Sequence, residues 1–146
     1  MAEIKEIHSI DLPACAKLYV HSFNCEPWND HWTYKTALGR LQDIYKAPRF
    51  YGIQYVETNC LLGAILGNIE VWYEDYHYQL KEMYVDPTVQ RSGIGTGLLN
   101  RLKQGLLSRK VKGIYLHTSS AKWTEAFYKR NGFIRMNDMV MMTVGL

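Results

Sequence analysis

The sequence predicts a single α/β (α+β) domain in which a mixed, mostly antiparallel sheet of six or seven strands is flanked by about four helices. Its 146 residues are enough for one domain and too few for two full cores. Hydrophobic residues make up 47% of the chain and charged residues 21%, which is typical of a globular protein. Strand-like and helix-like runs follow one another as β-α-α-β-β-β-α-β-α-β-β, an order that favours a mixed sheet with helices on its faces.

The first half of the chain begins with a short strand and two helices. Isoleucines at positions 4, 7 and 10 bracket the strand, and Asp11 can cap a helix whose first turn contains Pro13. Residues 26–30 are predicted to form a turn in which Asn29 or Asp30 caps the next helix. That helix has apolar residues every three or four positions and is closed by a proline.

Three strand-like runs rich in tyrosine, isoleucine and valine come next. They cover residues 50–57, 61–73 and 78–85. Tight reversals at residues 58–59 and 74–75 join them, so an antiparallel meander is expected. If the third run is a regular strand, alternation puts Leu80, Glu82 and Tyr84 on one face.

The second half alternates helices and strands after a glycine-rich segment. The segment at residues 90–97 precedes a helix with a leucine stripe, and a short strand is predicted at residues 114–118. A helix over residues 123–130 is stopped by Asn131-Gly132, because glycine suits the left-handed conformation of a helix C-cap. The predicted closing strands are residues 133–135 and 139–144.

Charge and cysteine content argue against several functional classes. The net charge is +3 and the pI about 8.7, which is too weakly basic to predict a nucleic-acid partner. The three cysteines are widely spaced and form no Cys-x-x-Cys pair, so neither a disulfide framework nor a metal site is expected. The sequence contains no signal peptide and no run long enough to span a membrane, so a cytoplasmic protein without a membrane partner is expected.

The most informative stretch is residues 85–99, where a strand ends, a proline turns the chain and three glycines precede an amphipathic helix. Glycines allow tight curvature, so successive backbone N–H groups can point at one centre. The helix adds the positive end of its dipole, and the combination is typical of a phosphate or diphosphate site. The segment lacks the Gly-Lys-Ser/Thr ending of a P-loop and the glycine spacing of the dinucleotide fingerprint. The alternative interpretation is an ordinary glycine-rich turn before a helix.

Two motifs stand at a characteristic separation in the chain. The first is Val85-x-Pro87-x-x-Gln90-Arg91-x-Gly93-Ile94-Gly95, and the second is Phe127-Tyr128-Lys129-Arg130-Asn131-Gly132-Phe133. They resemble motif A (Gln/Arg-x-x-Gly-x-Gly/Ala) and motif B (commonly Tyr-x-x-x-Gly-Phe) of the GNAT superfamily of N-acetyltransferases. The order of elements agrees over nearly the whole chain, so the resemblance implies a single acetyltransferase domain with a GNAT-like sheet over residues 1–146.

The resemblance implies that the glycine-rich segment binds coenzyme A, normally as acetyl-CoA, without a metal. The diphosphate would bind backbone N–H groups of the loop, and the pantetheine arm would run along the end of the preceding strand, which in this family splays from the next strand. The residues implied in cofactor binding are Met83, Tyr84, Val85, Gln90, Arg91, Ser92, Gly93, Ile94, Gly95 and Thr96. Ala121 departs from the family pattern, because many members carry an asparagine near this position that touches the cofactor.

Acetyl transfer to an amine needs a group that removes the amine proton and a donor for the departing thiolate. The resemblance implies that Tyr128 lies near the cofactor sulfur and acts as the general acid. It also puts Glu82 beside the acetyl group, where many members use a carboxylate as the base, directly or through water. The alternatives are an ordinary packed tyrosine and a solvated or ion-paired glutamate.

The resemblance implies an acceptor pocket near the connection between the first two helices. Trp28 would supply an aromatic wall there; the alternative is that it only packs the helix against the core. Glu74 is mainly a residue of the reversal at 74–75, and it could also attract a cationic substrate. The predicted acceptor is the primary amine of a small molecule, attacked directly in a ternary complex. The alternatives are a peptide or protein N-acetyltransferase and a non-catalytic coenzyme A-binding protein. Members of the family are often dimers, which leaves a homodimer open.

Overall fold

The computed structural model describes all of residues 1–146 and consists of one sheet with helices on both faces. The strands are β1 (Ala2–Glu6), β2 (Phe50–Glu57), β3 (Cys60–Val71), β4 (Tyr76–Val85) and β5 (Val111–Tyr115). The helices are α1 (Leu12–Phe23), α2 (Tyr34–Lys46), α3 (Ile94–Leu107) and α4 (Lys122–Arg130). The strands lie in the order β1-β2-β3-β4-β5, and neighbours are antiparallel except for the parallel pair β4 and β5. The predicted mixed, mostly antiparallel sheet with four helices is therefore confirmed.

The two faces of the sheet bury separate hydrophobic clusters. Leu98 and Leu102 of α3 are fully buried on the face that also presents Ile65 of β3. Leu66 is the next residue of β3 and points to the opposite face, where it packs with Leu41 of α2. Burial of each such side chain stabilises the fold by about 1.5–3 kcal/mol, so these two clusters hold the helices against the sheet.

The predicted antiparallel meander of β2, β3 and β4 is present, and each reversal has a local cause. Thr58 and Asn59 have φ values of 51° and 60°, the left-handed conformation that a two-residue hairpin turn requires at both central positions. At the second reversal the Trp72 N–H donates to the Asp75 carbonyl at 2.9 Å. The glycine-rich segment and the acidic turn therefore lie at opposite ends of β4.

β4 is not regular, because it contains a bulge at Lys81. Two successive residues of β3 pair with Glu82 and Leu80, which leaves Lys81 as the extra residue. Leu80 packs into the α3 cluster, whereas Tyr84 packs into the cluster under α1 and α2 and Glu82 bonds to those helices. The prediction that all three lie on one face is wrong, since the bulge shifts the alternation by one residue.

The start of α2 also differs from the prediction. The helix begins at Tyr34 and its N-cap is Thr33, whose hydroxyl accepts from the Thr36 N–H at 3.1 Å. Asn29 has a φ of 53° and belongs to the turn, and the Asp30 carboxylate accepts from a nearby indole N–H. Neither of them caps the helix, because Thr33 is the residue in extended conformation directly before it.

The two predicted closing strands are wrong, and the sheet has five strands rather than six or seven. Residues 134–146, which include most of them, take part in no backbone hydrogen bond. A strand exists only when its backbone pairs with a neighbour, and here no neighbour is reached. The strand predicted at residues 114–118 lies earlier, at Val111–Tyr115, because its backbone pairs with β4 only as far as Tyr115.

None of the four helices combines the length and the hydrophobicity that a bilayer crossing demands. No three histidine, cysteine, aspartate or glutamate side chains come together as a group able to hold a metal ion. The cysteines Cys15, Cys25 and Cys60 are all free thiols.

Candidate functional site

The site is a cleft that opens where β4 and β5 separate. Pairing between these parallel strands ends at Gln79 and Tyr115. Beyond that point residues 80–85 of β4 pair with β3 only, so the backbone groups along their other edge have no strand partner. The separation of the two strands, which the family resemblance implied, is therefore present.

The cleft has a volume of about 910 Å³, within the roughly 300–1,000 Å³ typical of small-molecule and cofactor sites. Its walls come from the α1–α2 connection, β4, the glycine-rich loop, the chain after β5, and α4. Most of the residues singled out from the sequence line it. They are Trp28, Glu82, Met83, Tyr84, Val85, Gln90, Arg91, Gly93, Ile94, Gly95, Thr96 and Tyr128.

The backbone amides of residues 90–96 donate no hydrogen bond to any protein atom. The first amide that does so is Gly97, which donates to the Gly93 carbonyl at 2.9 Å and closes the first turn of α3. Because α3 begins at Ile94, the free amides lie at the positive end of its dipole. Free donors at a helix N-terminus are able to bind an anion.

Contacts on both sides fix the shape of the loop. The Asp86 carboxylate accepts from the Thr88 N–H at 2.9 Å and from its hydroxyl at 2.7 Å, which holds the turn after β4. The side-chain amide of Gln90 donates to the Val85 carbonyl at 3.2 Å. Gly93 is the N-cap of α3 with a φ of 87°, a conformation that glycine adopts without strain.

The charged residues of the cleft form two groups. Lys81, Arg91 and Arg130 are cationic and line the cleft together with the glycine-rich loop. Glu26 comes from the α1–α2 connection, and Glu82 from the face of β4 that α1 and α2 cover. The first group attracts an anionic part of a ligand and the second a cationic part.

Tyr128 of α4 is half-buried, and its hydroxyl lies 3.6 Å from the Met83 sulfur. The rings of Phe127 and Phe133 pack against it at centroid distances of 5.2 and 5.4 Å. Burial, together with the negative charge of Glu82, raises the pKa of Tyr128 to about 12. The hydroxyl therefore keeps its proton at neutral pH and is able to donate it into the cleft.

Glu82 uses only one of its two oxygens for contacts within the protein. Its Oε2 accepts from the Tyr19 hydroxyl at 2.6 Å and from the Arg40 Nε at 2.8 Å, and its side chain is 11% exposed. Burial, followed by the charge of Glu82, raises the pKa of Tyr19, so this phenol stays protonated as a donor. Glu82 Oε1 has no hydrogen-bond partner in the protein and can bond to a ligand or a water.

An aromatic contact joins the α1–α2 connection to α4 at the cleft. Trp28 is 37% exposed, and its ring packs on Phe23 at 5.9 Å and on Trp123 at 5.6 Å. Phe23 in turn packs against the cluster under α1 and α2. Trp28 is thus attached to the core and also forms part of the cleft wall, so the two interpretations of this residue are compatible.

Two predicted site residues lie outside the lining. Glu74 is in the turn between β3 and β4, at the end of β4 that is remote from the glycine-rich loop. The side chain of Ser92 turns away from the cleft and donates to the Val89 carbonyl. Ala121, the departure from the family pattern, is the N-cap residue of α4 and does not line the cleft either.

Sequence reasoning missed three residues of the site. Tyr19 and Arg40 contact Glu82 from 63 and 42 residues away, and no local pattern marks them. Trp123 stands near the start of the motif B helix, where a large aromatic residue beside the motif was the available signal.

A known sequence family matches this chain. The sequence model described as an acetyltransferase (GNAT) domain matches residues 38–135, which include both the glycine-rich loop and the Tyr128 motif. No curated protein is similar to this chain in sequence.

Solved structures share the fold at low sequence identity. One is meta-AAC0020, an aminoglycoside acetyltransferase from an uncultured soil metagenomic sample, in complex with sisomicin. It is 17% identical to this chain with a TM-score of 0.78, and the superposition covers 99% of this chain and 96% of that chain. The aminoglycoside N-acetyltransferase AAC(6')-Iy in complex with CoA is 13% identical with a TM-score of 0.78, at 99% and 95% coverage. An integron cassette protein from the mobile metagenome of V. cholerae is 16% identical with a TM-score of 0.83, at 99% and 92% coverage.

These likenesses concern the fold, whereas the family match covers most of the chain and both motifs. The fold, the cleft between β4 and β5 and the free amides of the loop agree with it. The chain therefore belongs to the GNAT acetyltransferase family and is a GNAT-type acyltransferase.

Proposed function

We propose that the protein transfers the acetyl group of acetyl-CoA to a primary amine of a small molecule, by direct attack of the amine while both substrates are bound. One observation carries the proposal: a loop of free amides, the Tyr128 hydroxyl and the Glu82 carboxylate border the same cleft. An anion-binding loop, a proton donor and a proton acceptor are the groups that such a transfer requires.

The residues present fit coenzyme A. A diphosphate matches the free amides of residues 90–96, and Arg91 adds a positive charge. The pantetheine arm of coenzyme A carries amide groups of its own. These match the unpaired backbone edge of residues 80–85, which can bind an extended partner as it would an added strand. Space beside the loop is close-fitting, since a Cβ at Gly95 would lie 3.0 Å from the Phe127 ring and 3.4 Å from Met83 Cε.

Glu82 and Tyr128 have complementary proton roles in this scheme. When bound, acetyl-CoA supplies the activated acetyl thioester. Glu82 Oε1 takes the proton that the amine must lose, directly or through one water, because an ammonium with a pKa of about 10.4 is not nucleophilic. The new N–C bond forms as the C–S bond breaks, and Tyr128 gives its proton to the departing sulfur. No side chain of the protein forms a covalent bond to the acetyl group.

The chemistry at the α1–α2 side of the cleft favours a cationic amine as the acceptor. Glu26 is close in sequence to Trp28, and Trp123 approaches from α4. Carboxylates and aromatic faces both attract ammonium groups. Two of the structurally similar proteins are aminoglycoside acetyltransferases, which supports a small molecule rather than a protein as the acceptor.

Thiol release from acetyl-CoA over a panel of amines tests the proposal. The panel contains polyamines, aminoglycosides and amino acids, together with peptides that offer an N-terminus or a lysine. Saturable turnover with at least one small amine, and none with the peptides, is expected. Turnover with peptides alone would make protein N-acetylation the function. Binding of acetyl-CoA without turnover of any amine would instead indicate a non-catalytic coenzyme A-binding protein.

A further inference from the structure

Thr124 of α4 carries a buried hydroxyl for which the protein provides no hydrogen-bond partner. The residue is only 7% exposed, and its Oγ1 makes no hydrogen bond to any protein atom. Thr124 nevertheless lines the cleft. A buried polar group without a partner is costly, and most such groups in folded proteins are satisfied. The partner of this hydroxyl must come either from its own helix or from a ligand.

The helix itself does not supply that partner. A threonine in a helix commonly donates to the carbonyl three or four residues earlier. Three residues before Thr124 the Ala121 carbonyl already accepts from the Thr124 N–H at 3.1 Å and from the Glu125 N–H at 3.2 Å. Both lone pairs of that oxygen are therefore occupied. The carbonyl four residues earlier belongs to Ser120, which lies before the helix begins. A ligand in the cleft is the remaining partner.

Thr124 shares a helix face with the proposed proton donor. Thr124 and Tyr128 are four residues apart in α4, a spacing that places two side chains on the same face. Both residues line the cleft. One helical turn, a rise of about 6 Å, separates them along the axis. The hydroxyl of Thr124 is thus a second polar group on the face that carries the Tyr128 hydroxyl.

The direction of α4 decides which part of a ligand Thr124 meets. The Phe127 ring would lie 3.0 Å from a Cβ at Gly95, in the first turn of α3. Further along both helices, the Asn131 carbonyl accepts from Lys103 Nζ at 2.6 Å. The two helices therefore run in the same general direction, and α4 begins on the side of the glycine-rich loop. Thr124 lies one turn nearer to that side than the proton donor does.

We infer that Thr124 binds the pantetheine arm of coenzyme A, with its hydroxyl donating to an amide carbonyl of the arm. The inference rests on the proposed function, in which the diphosphate binds at the loop and the cofactor sulfur lies at Tyr128. In coenzyme A two methylene groups separate the sulfur from the nearest amide, a span comparable to one helical turn. A hydroxyl one turn from Tyr128 on the loop side is therefore level with that amide.

The arm is then held by two elements of the cleft. Its amide groups meet the unpaired backbone edge of residues 80–85, and one of its carbonyls meets the Thr124 hydroxyl of α4. A strand edge can pair with an extended chain in more than one register, whereas a single hydroxyl has one position along the arm. The Thr124 contact therefore helps to set how far the sulfur extends towards Tyr128.

Titration calorimetry with a ligand fragment tests the contact without relying on turnover. Thr124→Val keeps the shape of the side chain and removes the hydroxyl. Its affinity for coenzyme A is expected to fall about 5–10-fold, the effect of one hydrogen bond. Its affinity for 3′-phosphoadenosine 5′-diphosphate, which contains the diphosphate but lacks the arm, should be unchanged. Thr124→Ser keeps a hydroxyl and should restore most of the affinity for coenzyme A.

Two results of this titration would overturn the inference. One is an unchanged affinity of Thr124→Val for coenzyme A. The other is an equal loss of affinity for coenzyme A and for the fragment, because the hydroxyl would then act on the diphosphate end of the ligand and not on the arm.

Ser22→Ala is the matched control. Ser22 is 5% exposed, its Oγ is likewise without a partner, and it lines the cleft from α1. Its neighbour Phe23 packs into the cluster under α1 and α2, whereas Phe127 of α4 packs against the α3 cluster on the other face of the sheet. Ser22→Ala should therefore leave the affinity for coenzyme A unchanged. Equal losses in both variants would contradict a specific contact with Thr124.

The stability of the free protein gives an independent readout. Because the hydroxyl has no partner without a ligand, Thr124→Val is expected to unfold at the same urea concentration as the unmodified protein or at a higher one. A markedly lower midpoint would show that the hydroxyl is bonded within the free protein, and the inference would be wrong.

Kinetics separate this inference from the proposed function. Thr124→Val should raise KM for acetyl-CoA about as much as it weakens coenzyme A binding, with little change in kcat, because the arm is bound equally before and during the transfer. If coenzyme A binding depends on Thr124 as expected but no amine is acetylated, the proposed function fails and the inference stands. If amines are acetylated and Thr124→Val has an unchanged KM for acetyl-CoA, the inference fails and the proposed function stands.

Discussion

The Tyr19 hydroxyl donates a 2.6 Å hydrogen bond to Glu82 Oε2, and this contact ties α1 to β4 directly beside the bulge at Lys81. Arg40 of α2 donates to the same oxygen at 2.8 Å. Both helices that cover this face of the sheet therefore orient one carboxylate. Because both donors use Oε2, the second oxygen of Glu82 is left for chemistry in the cleft.

Substitution of Glu82 tests its role as the proton acceptor. Glu82→Gln is expected to lower kcat by about 10²-fold or more, because an amide cannot take a proton from the amine. KM for acetyl-CoA should change little, since the loop amides do not contact Glu82. Tyr19→Phe keeps the carboxylate and removes one of its two donors, so a smaller fall in kcat is expected. Steady-state kinetics with an amine from the panel measures all three effects.

Tyr115→Phe is the matched control for Tyr19→Phe. The Tyr115 hydroxyl donates to Glu70 at 2.7 Å, which is the same kind of contact on the same sheet but outside the cleft. This variant should retain the activity of the unmodified protein. Equal losses of kcat in both tyrosine variants would assign the effect to general damage to the sheet rather than to Glu82.

Tyr128 is predicted to act as an acid over the whole practical pH range. Its pKa is raised to about 12 by burial and by the charge of Glu82, so the phenol remains protonated at every lower pH. We therefore expect kcat to show no loss attributable to this group up to about pH 10, the pKa of an ordinary tyrosine. Tyr128→Phe should lower kcat by about 10²-fold. A fall in kcat centred near pH 10, present in the unmodified protein and absent from Tyr128→Phe, would contradict this assignment.

The sequence was sufficient for features that local chemistry determines. The short polar pair Thr58-Asn59 between two strand-like runs predicts the hairpin turn, and both residues have a positive φ there. The glycines placed before a helix predict the free amides of the loop. The bulge at Lys81 was not predictable, because it depends on how β3 pairs with β4. Tyr19 likewise reaches Glu82 only through tertiary packing, and a period-2 pattern carries no information about it.

The anion-binding loop makes a prediction about ligand fragments. Coenzyme A is expected to bind at least about 100-fold more tightly than pantetheine, which lacks the diphosphate; this corresponds to about 2.8 kcal/mol. Titration calorimetry of both ligands measures the difference. The affinity for coenzyme A should also weaken as salt is added, because the loop and Arg91 bind charge. Equal affinities for the two ligands would mean that the amides of residues 90–96 are not the diphosphate site.

Asp86 links the stability of the loop to acid pH. The backbone N–H of Thr88 makes the largest contribution to lowering the pKa of Asp86, and the Thr88 hydroxyl and His21, at 3.6 Å, lower it further. Burial of the carboxylate raises this pKa, but it does not outweigh them. A carboxyl with a folded-state pKa below its unfolded value of 3.8 stabilises the protein above that value, and this contribution disappears as pH falls through the folded-state pKa. Asp86→Ala should lower the free energy of unfolding by about 1 kcal/mol at pH 6.

Urea unfolding of both proteins between about pH 6 and pH 2.5 measures the pH dependence of that difference. The gap between them should narrow as pH falls, because protonation removes from the unmodified protein what the substitution removes from the variant. A gap that stays constant down to the lowest pH would show that Asp86 contributes through packing and not through its charge.

Replacement of glycine by alanine is expected to have opposite effects on stability at Gly67 and at Gly39. Gly67 pairs with Leu80 next to the bulge, where an added Cβ would overlap the Gln79 carbonyl and lie 2.6 Å from the Tyr78 hydroxyl. Gly67→Ala should therefore cost about 1–3 kcal/mol of unfolding free energy, the usual range for overpacking. Gly39 lies within α2 with nothing within 4 Å of its added Cβ, so Gly39→Ala should stabilise the protein by about 0.5–1 kcal/mol.

The two variants also separate stability from catalysis. Urea unfolding measures the stability of each variant, and kinetics are then measured below the unfolding transition. Gly67→Ala should have a lower kcat as well as a lower stability, because the bulge that directs Glu82 towards Tyr19 depends on the pairing at Gly67. Gly39→Ala should leave kcat unchanged. If Gly67→Ala were as stable and as active as the unmodified protein, β3 and β4 would not approach each other this closely, and the bulge could not be what orients Glu82.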